Sequence, residues 1–273
     1  MEIDMSRFRS GAWRVPPTVF AAALAAIFLA WTICDPAGFS LFFDNDGRSP
    51  FQMATVPVFA AIVPAVWIFR PFSGSRWRRA ALCTAVSVVA IMAIVKELDL
   101  HCLALNWLYP DFVGEGGGLV HGKLFKPNGS PLTGTPFKMR VLTNSGVPLG
   151  MKAAVLFYFT AFFGVFGAGL LRFFPRWIKG VFRFEPASWS FGCFGASGVV
   201  VQIADRLPAW LGHGFGLDKH SSLGASPASA LCTAIEEGFE MMIAVFAIMT
   251  IVFAWRDAKR ERFKQSTKGA NRK

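Results

Sequence analysis
A chain of 273 residues that is 53% apolar and only 16% charged, with a mean hydropathy of +0.44, carries more apolar surface than a soluble domain of its size needs. Its formal net charge of +11 does not mark a nucleic-acid binder, because Lys and Arg gather in short connections between apolar runs instead of lining a polar groove. With a soluble domain and nucleic acid excluded, the partner is a lipid bilayer, whose hydrocarbon core of about 30 Å takes about 20 helical residues to cross.

The N-terminal tail carries Arg7, Arg9 and Arg14, and the first apolar run follows near 15–34. Its apolar part is longer than the core of a cleavable signal, so it reads as a retained helix. A connection with Asp35, Asp44, Asp46 and Arg48 leads to the second run, near 51–69. Asp44-Asn45-Asp46-Gly47 opens like a calcium loop, but Met53 stands where the closing glutamate belongs, which leaves a turn. Arg70, Arg76, Arg78 and Arg79 precede the third run, near 80–95, and the acidic segment Lys96-Glu97-Leu98-Asp99-Leu100-His101 comes directly after it.

A long connection over 106–150, rich in Gly, Pro, Ser and Thr, separates the third and fourth runs, and loops of this length are usually functional or disordered. Its Gly117…Gly122-Lys123 spacing mimics a phosphate loop, but Leu124 replaces the required Ser or Thr and no strand precedes it. Asn128-Gly129-Ser130 fits a glycosylation sequon, a match too short to weigh. The fourth run lies near 153–171. Beyond it, Phe174–Pro186 interleaves Arg176, Lys179 and Arg183 with apolar residues, as in a segment lying on an anionic leaflet or an ordinary basic loop. The fifth run, near 188–203, holds Gly192, Gly195 and Gly198, a spacing that lets helices approach closely in lipid. After Asp205, Arg206, Asp218 and Lys219 comes the sixth run, near 231–255, and then a basic tail over 256–273.

Each run reads as a helix, since backbone groups in lipid find partners only within their own segment. Basic residues mark cytoplasmic connections, and here they alternate with acidic or mixed ones. The expected fold is an all-α membrane protein, a single domain over 1–255 with six transmembrane helices in a bundle. Both termini are cytoplasmic and the 106–150 loop is outside. Tryptophans fall near both predicted boundaries, Trp13, Trp77, Trp177, Trp189 and Trp255 at the inner edge and Trp31, Trp107 and Trp210 at the outer. Cys34, Cys102 and Cys232 lie near the outer face, where a disulfide between two of them is sterically open but unassigned.

Chemistry points to Lys96–His101 and to Glu236-Glu237-Gly238-Phe239-Glu240. A charge at the centre of a membrane helix costs about 2.5–3.5 kcal/mol and less toward the interface, so three glutamates within one such stretch call for a compensating role. Glu97 and His101 are one turn apart, as are Glu236 and Glu240, so each helix presents two groups on one face. Counted from the inner edge at about 1.5 Å per residue, Glu97, Glu236 and Glu240 reach similar heights. The expected site therefore joins Glu97, His101, Glu236 and Glu240, as metal ligands or proton-transferring groups, with Asp99 and Glu237 beside them as further catalytic candidates. A mixed carboxylate and imidazole set suits zinc, iron or manganese. The structural alternative has Lys96, Glu97 and Asp99 capping a helix end while Glu236 or Glu240 pairs with Arg140, Lys152 or Arg206.

Taken together, the E-x-D-x-H segment (Glu97, Asp99, His101) and the E-E-x-x-E-M segment (Glu236, Glu237, Glu240, Met241) resemble a group of bacterial multi-spanning membrane proteins of no established activity. The resemblance covers about a dozen residues and implies that the two segments belong together in a bacterial inner (plasma) membrane protein. Three functions are then in play. The leading one is an enzyme or handler of lipid or envelope precursors facing the outer leaflet, with a divalent metal as its candidate cofactor. The others are an ion- or proton-coupled transporter and an assembly protein with a structural carboxylate cluster.

Overall fold
The computed structural model describes residues 10–34, 39, 42–43, 49–98, 100, 124–125, 131–133, 142–143, 149–215 and 227–270. Six helices dominate them: α1 (Val15–Ile33), preceded by a 3-10 turn at Ala12–Arg14, α2 (Pro50–Phe69), α3 (Arg76–Glu97), α4 (Leu149–Phe182), α5 (Pro186–Phe215) and α6 (Pro227–Ala270). A short antiparallel pair, β1 (Leu124–Phe125) and β2 (Pro131–Thr133), lies within the long connection, most of which is outside the described residues. Five stretches are long and apolar enough to cross a membrane, as a multi-pass membrane protein requires: Ala12–Ile33, Pro50–Phe69, Arg76–Glu97, Pro186–Leu207 and Ala230–Arg260. The expected fourth span corresponds to α4, which contributes the shorter apolar helix Leu149–Ala161.

Capping sets several boundaries. Ser49 Oγ accepts the Gln52 N–H at 3.1 Å and Pro50 opens α2, while Ser75 Oγ accepts the Arg78 N–H at 3.3 Å at the start of α3. The stretch expected as a separate leaflet segment or loop after residue 171 is instead the last part of α4, which continues through Pro175. A proline removes one helical hydrogen bond and bends the helix without having to end it. The end comes where Phe184 takes a left-handed φ of 54° and the Glu185 N–H reaches back to the Gly180 carbonyl at 2.9 Å, with the Phe184 N–H on the Val181 carbonyl at 3.1 Å. The basic tail likewise continues α6 to Ala270, its Lys, Arg, Glu and Gln all being good helix formers.

The bundle is built around α6, in which no residue from Ala230 to Trp255 is exposed. On one side Ile27 of α1, Cys193 and Val201 of α5 and Phe239, Met242 and Phe246 of α6 form an apolar cluster. On another, Phe59, Ile62 and Val66 of α2 and Cys83 and Ala90 of α3 pack with Ala244 and Ile251 of α6. Small residues decide the approach: a Cβ on Gly238 would lie 2.6 Å from the Ile27 side chain, so α1 crosses α6 there. Of the glycines expected to serve this purpose in α5, one meets a neighbouring helix and two do not. Gly192 lies against the Trp177 ring, but Gly195 and Gly198 have open space where a Cβ would stand, because α5 packs on α6 through Ser190, Cys193, Ser197 and Val201 on a different face.

Contacts fix how the helices run. Gln52 at the start of α2 meets Glu237 near the start of α6, and Phe69 at the end of α2 meets Trp255 at 5.2 Å, so α2 and α6 are parallel. Helix α3 returns beside α2, with Trp67 Nε1 donating to Ser87 Oγ at 3.1 Å, and ends level with Glu240. In α4, Tyr158 interacts electrostatically with Lys96 and Glu97, while Phe173 lies 6.5 Å from Phe72 at the opposite end. That end also holds Trp13, packed on Trp189 at 5.2 Å, together with the basic connection Arg70–Arg79. The bundle thus has a basic, tryptophan-rich end and a carboxylate end.

Candidate functional site
At the carboxylate end, α6 turns by about 100° per residue, which sets Glu240 between Glu236 and Glu237 when viewed down the axis. Glu237, 3% exposed, points toward α2 and accepts a hydrogen bond from Gln52 Nε2 at 3.2 Å. Gln52 is held there by the Ser49 cap, in the first turn of α2. Glu97, 6% exposed, is the final residue of α3 and is carried to the same level by the antiparallel return of that helix. One carboxylate oxygen from each of Glu97, Glu237 and Glu240 falls within 4.8 Å of the others.

Lys96 closes the group. Its Nζ donates to Glu240 Oε1 at 2.7 Å and to Glu97 Oε1 at 3.2 Å. The lysine side chain is 48% exposed, against 14% for Glu240 and 3% for Glu97, so the ammonium approaches from the rim of the bundle while two of the carboxylates stay inside. Three carboxyl groups face one ammonium in a setting of low dielectric, so those the ammonium does not neutralise need a proton or a cation. The Gln52 side-chain oxygen, buried beside Glu237, has no hydrogen-bond partner among the described residues. A buried acceptor left unpaired costs about 1–3 kcal/mol, and such groups in native proteins commonly point to a bound ion or water.

Of the residues singled out in the sequence, the structure brings Glu97, Glu237 and Glu240 together. Glu236 is half-buried on the adjoining face of α6 and stands outside the three. Asp99 and His101 lie outside the described residues. Lys96 and Gln52 were not expected as members. Lys96 enters the sequence argument only as a helix cap in the structural alternative, although its place beside Glu97 is the signal for its role, and Gln52 is a lone amide near the start of an apolar run. Arg206, weighed as a partner for the α6 glutamates, is 3.5 Å from Asp205 instead. Cys34 and Cys232 are not joined to each other by a disulfide, and Cys102 lies outside the described residues.

The candidate ligand set is three carboxylates, while the Gln52 amide turns its nitrogen to Glu237. Such a set suits a proton or a hard cation, with Mg²⁺, Ca²⁺ and Mn²⁺ favoured over the softer ions that prefer thiolate or imidazole. Oxygens on opposite sides of a calcium ion lie about 4.6–5.2 Å apart and adjacent ones closer, so the 4.8 Å spread fits one shared ion. Compared with known protein families, curated proteins and solved structures, the chain matches none.

Proposed function
We propose that this chain is a six-span protein of a bacterial inner membrane whose carboxylate cluster, at the outer-leaflet end, binds a hard divalent cation and with it handles the polar head of a lipid or envelope precursor. Both termini are then cytoplasmic, and α4 supplies the fourth crossing. What supports that topology is the run of α4 from the level of Lys96 to that of Phe72, together with the gathering of basic residues at the opposite end from the glutamates.

The observation that carries the functional reading is the convergence of Glu97, Glu237 and Glu240 within 4.8 Å, beside a buried amide oxygen that lacks a partner. A cation held by these oxygens retains open positions toward the exposed side, where Lys96 and Glu240 reach the rim. There it would polarise an anionic oxygen of a headgroup as a Lewis acid. A site at this depth is reached from the leaflet sideways, which suits an amphiphilic substrate better than a small soluble one.

The test is metal content and binding. Protein purified in detergent without chelator should retain, or take up in titration, Mg²⁺, Mn²⁺ or Ca²⁺, and Glu237→Gln or Glu240→Gln should weaken that binding by roughly 10–100-fold. Wild-type protein that binds none of the three ions, under conditions where it remains folded, removes the cation reading. Ion movement across liposomes that requires Glu240 would replace the enzyme with a transporter built on the same site.

A further inference from the structure
Lys96 lies at the more exposed side of the cluster, where it pairs with both Glu97 and Glu240. It follows the apolar part of α3 and stands next to Glu97. Its ammonium sits 2.7 Å from one candidate ligand and 3.2 Å from another. Yet its side chain is 48% exposed, and its flexible four-carbon stem can carry the charge outward to the interface without moving the backbone. Glu237 is held by Gln52, whose own oxygen has no partner among the described residues, and makes no ion pair with Lys96 within 4 Å. The cluster therefore divides into Glu237, held by Gln52, and the pair Glu97 and Glu240, bridged by an ammonium on a flexible stem.

We infer that Lys96 is a tethered competitor for the cation of this site: it neutralises Glu97 and Glu240 when the site is empty and must swing out when a divalent ion binds. This rests on the cation reading given above. Two positive species cannot share the space between Glu97 and Glu240 at low cost, since like charges a few ångströms apart repel, more strongly near a protein than in water and more strongly for a divalent ion. The lysine thus raises the ion concentration needed for occupancy. It also keeps the empty site from holding uncompensated carboxylates in the membrane. Occupancy would release an ammonium toward the headgroup region, where it is free to contact the anionic part of a substrate. Ion binding and substrate capture would then be linked through one side chain.

The experiment titrates Mn²⁺ into full-length wild type, Lys96→Gln and Glu237→Gln in the same detergent, and in parallel labels wild-type protein with an amine-acetylating reagent with and without Mn²⁺. Lys96→Gln is expected to bind Mn²⁺ tighter by about tenfold or more. Mn²⁺ is expected to increase acetylation of Lys96 several-fold, a readout that needs no variant to fold. Equal or weaker binding by Lys96→Gln beside a wild type that binds, or labelling of Lys96 that Mn²⁺ leaves unchanged or lowers, overturns the competitor while leaving the cation site standing. If neither wild type nor Lys96→Gln binds at millimolar Mn²⁺, the cation site fails and the competitor fails with it. Binding by Lys96→Gln alone supports both.

Discussion
Gln52 shows how much one amide can decide. Its nitrogen satisfies Glu237 while its oxygen is left without a partner among the described residues. Replacing it by glutamate exchanges the donor for a fourth carboxylate in nearly the same volume. Gln52→Glu is therefore expected to lower the thermal midpoint of the metal-free protein in detergent, by the equivalent of about 1–3 kcal/mol, and to recover part of that loss in millimolar Ca²⁺. A lowered midpoint that Ca²⁺ does not move at all would mean that no ion reaches this part of the bundle. At this scale the sequence was readable in part. The carboxylates announce themselves because charge is rare and costly in a membrane helix. The angular order on α6 is harder: Glu236 and Glu237 are equally acidic in sequence, and only the position of α2 beside α6 selects Glu237 for the interior.

Between elements, the close approach of α1 to α6 depends on Gly238 accepting Ile27. Gly238→Leu should destabilise the bundle by about 1–3 kcal/mol through overpacking. Adding Ile27→Ala should return part of it, giving a non-additive double-mutant cycle in thermal or denaturant unfolding. Additive effects would show that the two side chains do not meet. Gly238 lies within the acidic segment that drew attention for its charges, whereas the glycines that drew attention for their spacing, Gly195 and Gly198, face open space. Spacing shows that a helix can be approached closely but not by which neighbour. Helix limits were legible for the same reason that they were imperfect: hydropathy marks the part of a helix that suits lipid, while caps, the end of α4 at Phe184 and the helix-forming residues of the tail set where the hydrogen bonding stops.

For the whole molecule, the sequence alternates basic with acidic or mixed connections, and the structure has a basic end and a carboxylate end; the topology proposed above rests on reading the basic end as cytoplasmic. Alkaline phosphatase fused after Gly129 should be active and, fused after Arg262, inactive. Two active fusions would leave an odd number of crossings and take α4 out of the membrane. Activity only after Arg262 would reverse the orientation and put the glutamates on the cytoplasmic side.

The central place of α6 bears on the order of events during synthesis. Both apolar clusters are completed by α6, and two of the three clustered carboxylates reside on it, yet it is the last of the six helices to leave the ribosome. Until then α1–α5 have no common surface to close on. Lys96 and Glu97, adjacent in the chain, pair at 3.2 Å within α3 itself. The lysine that bridges α3 to α6 in the folded bundle is therefore placed, by its position next to Glu97, to offset that carboxylate's charge before α6 is present, while α2 and α3 already pack on each other through Trp67 and Ser87.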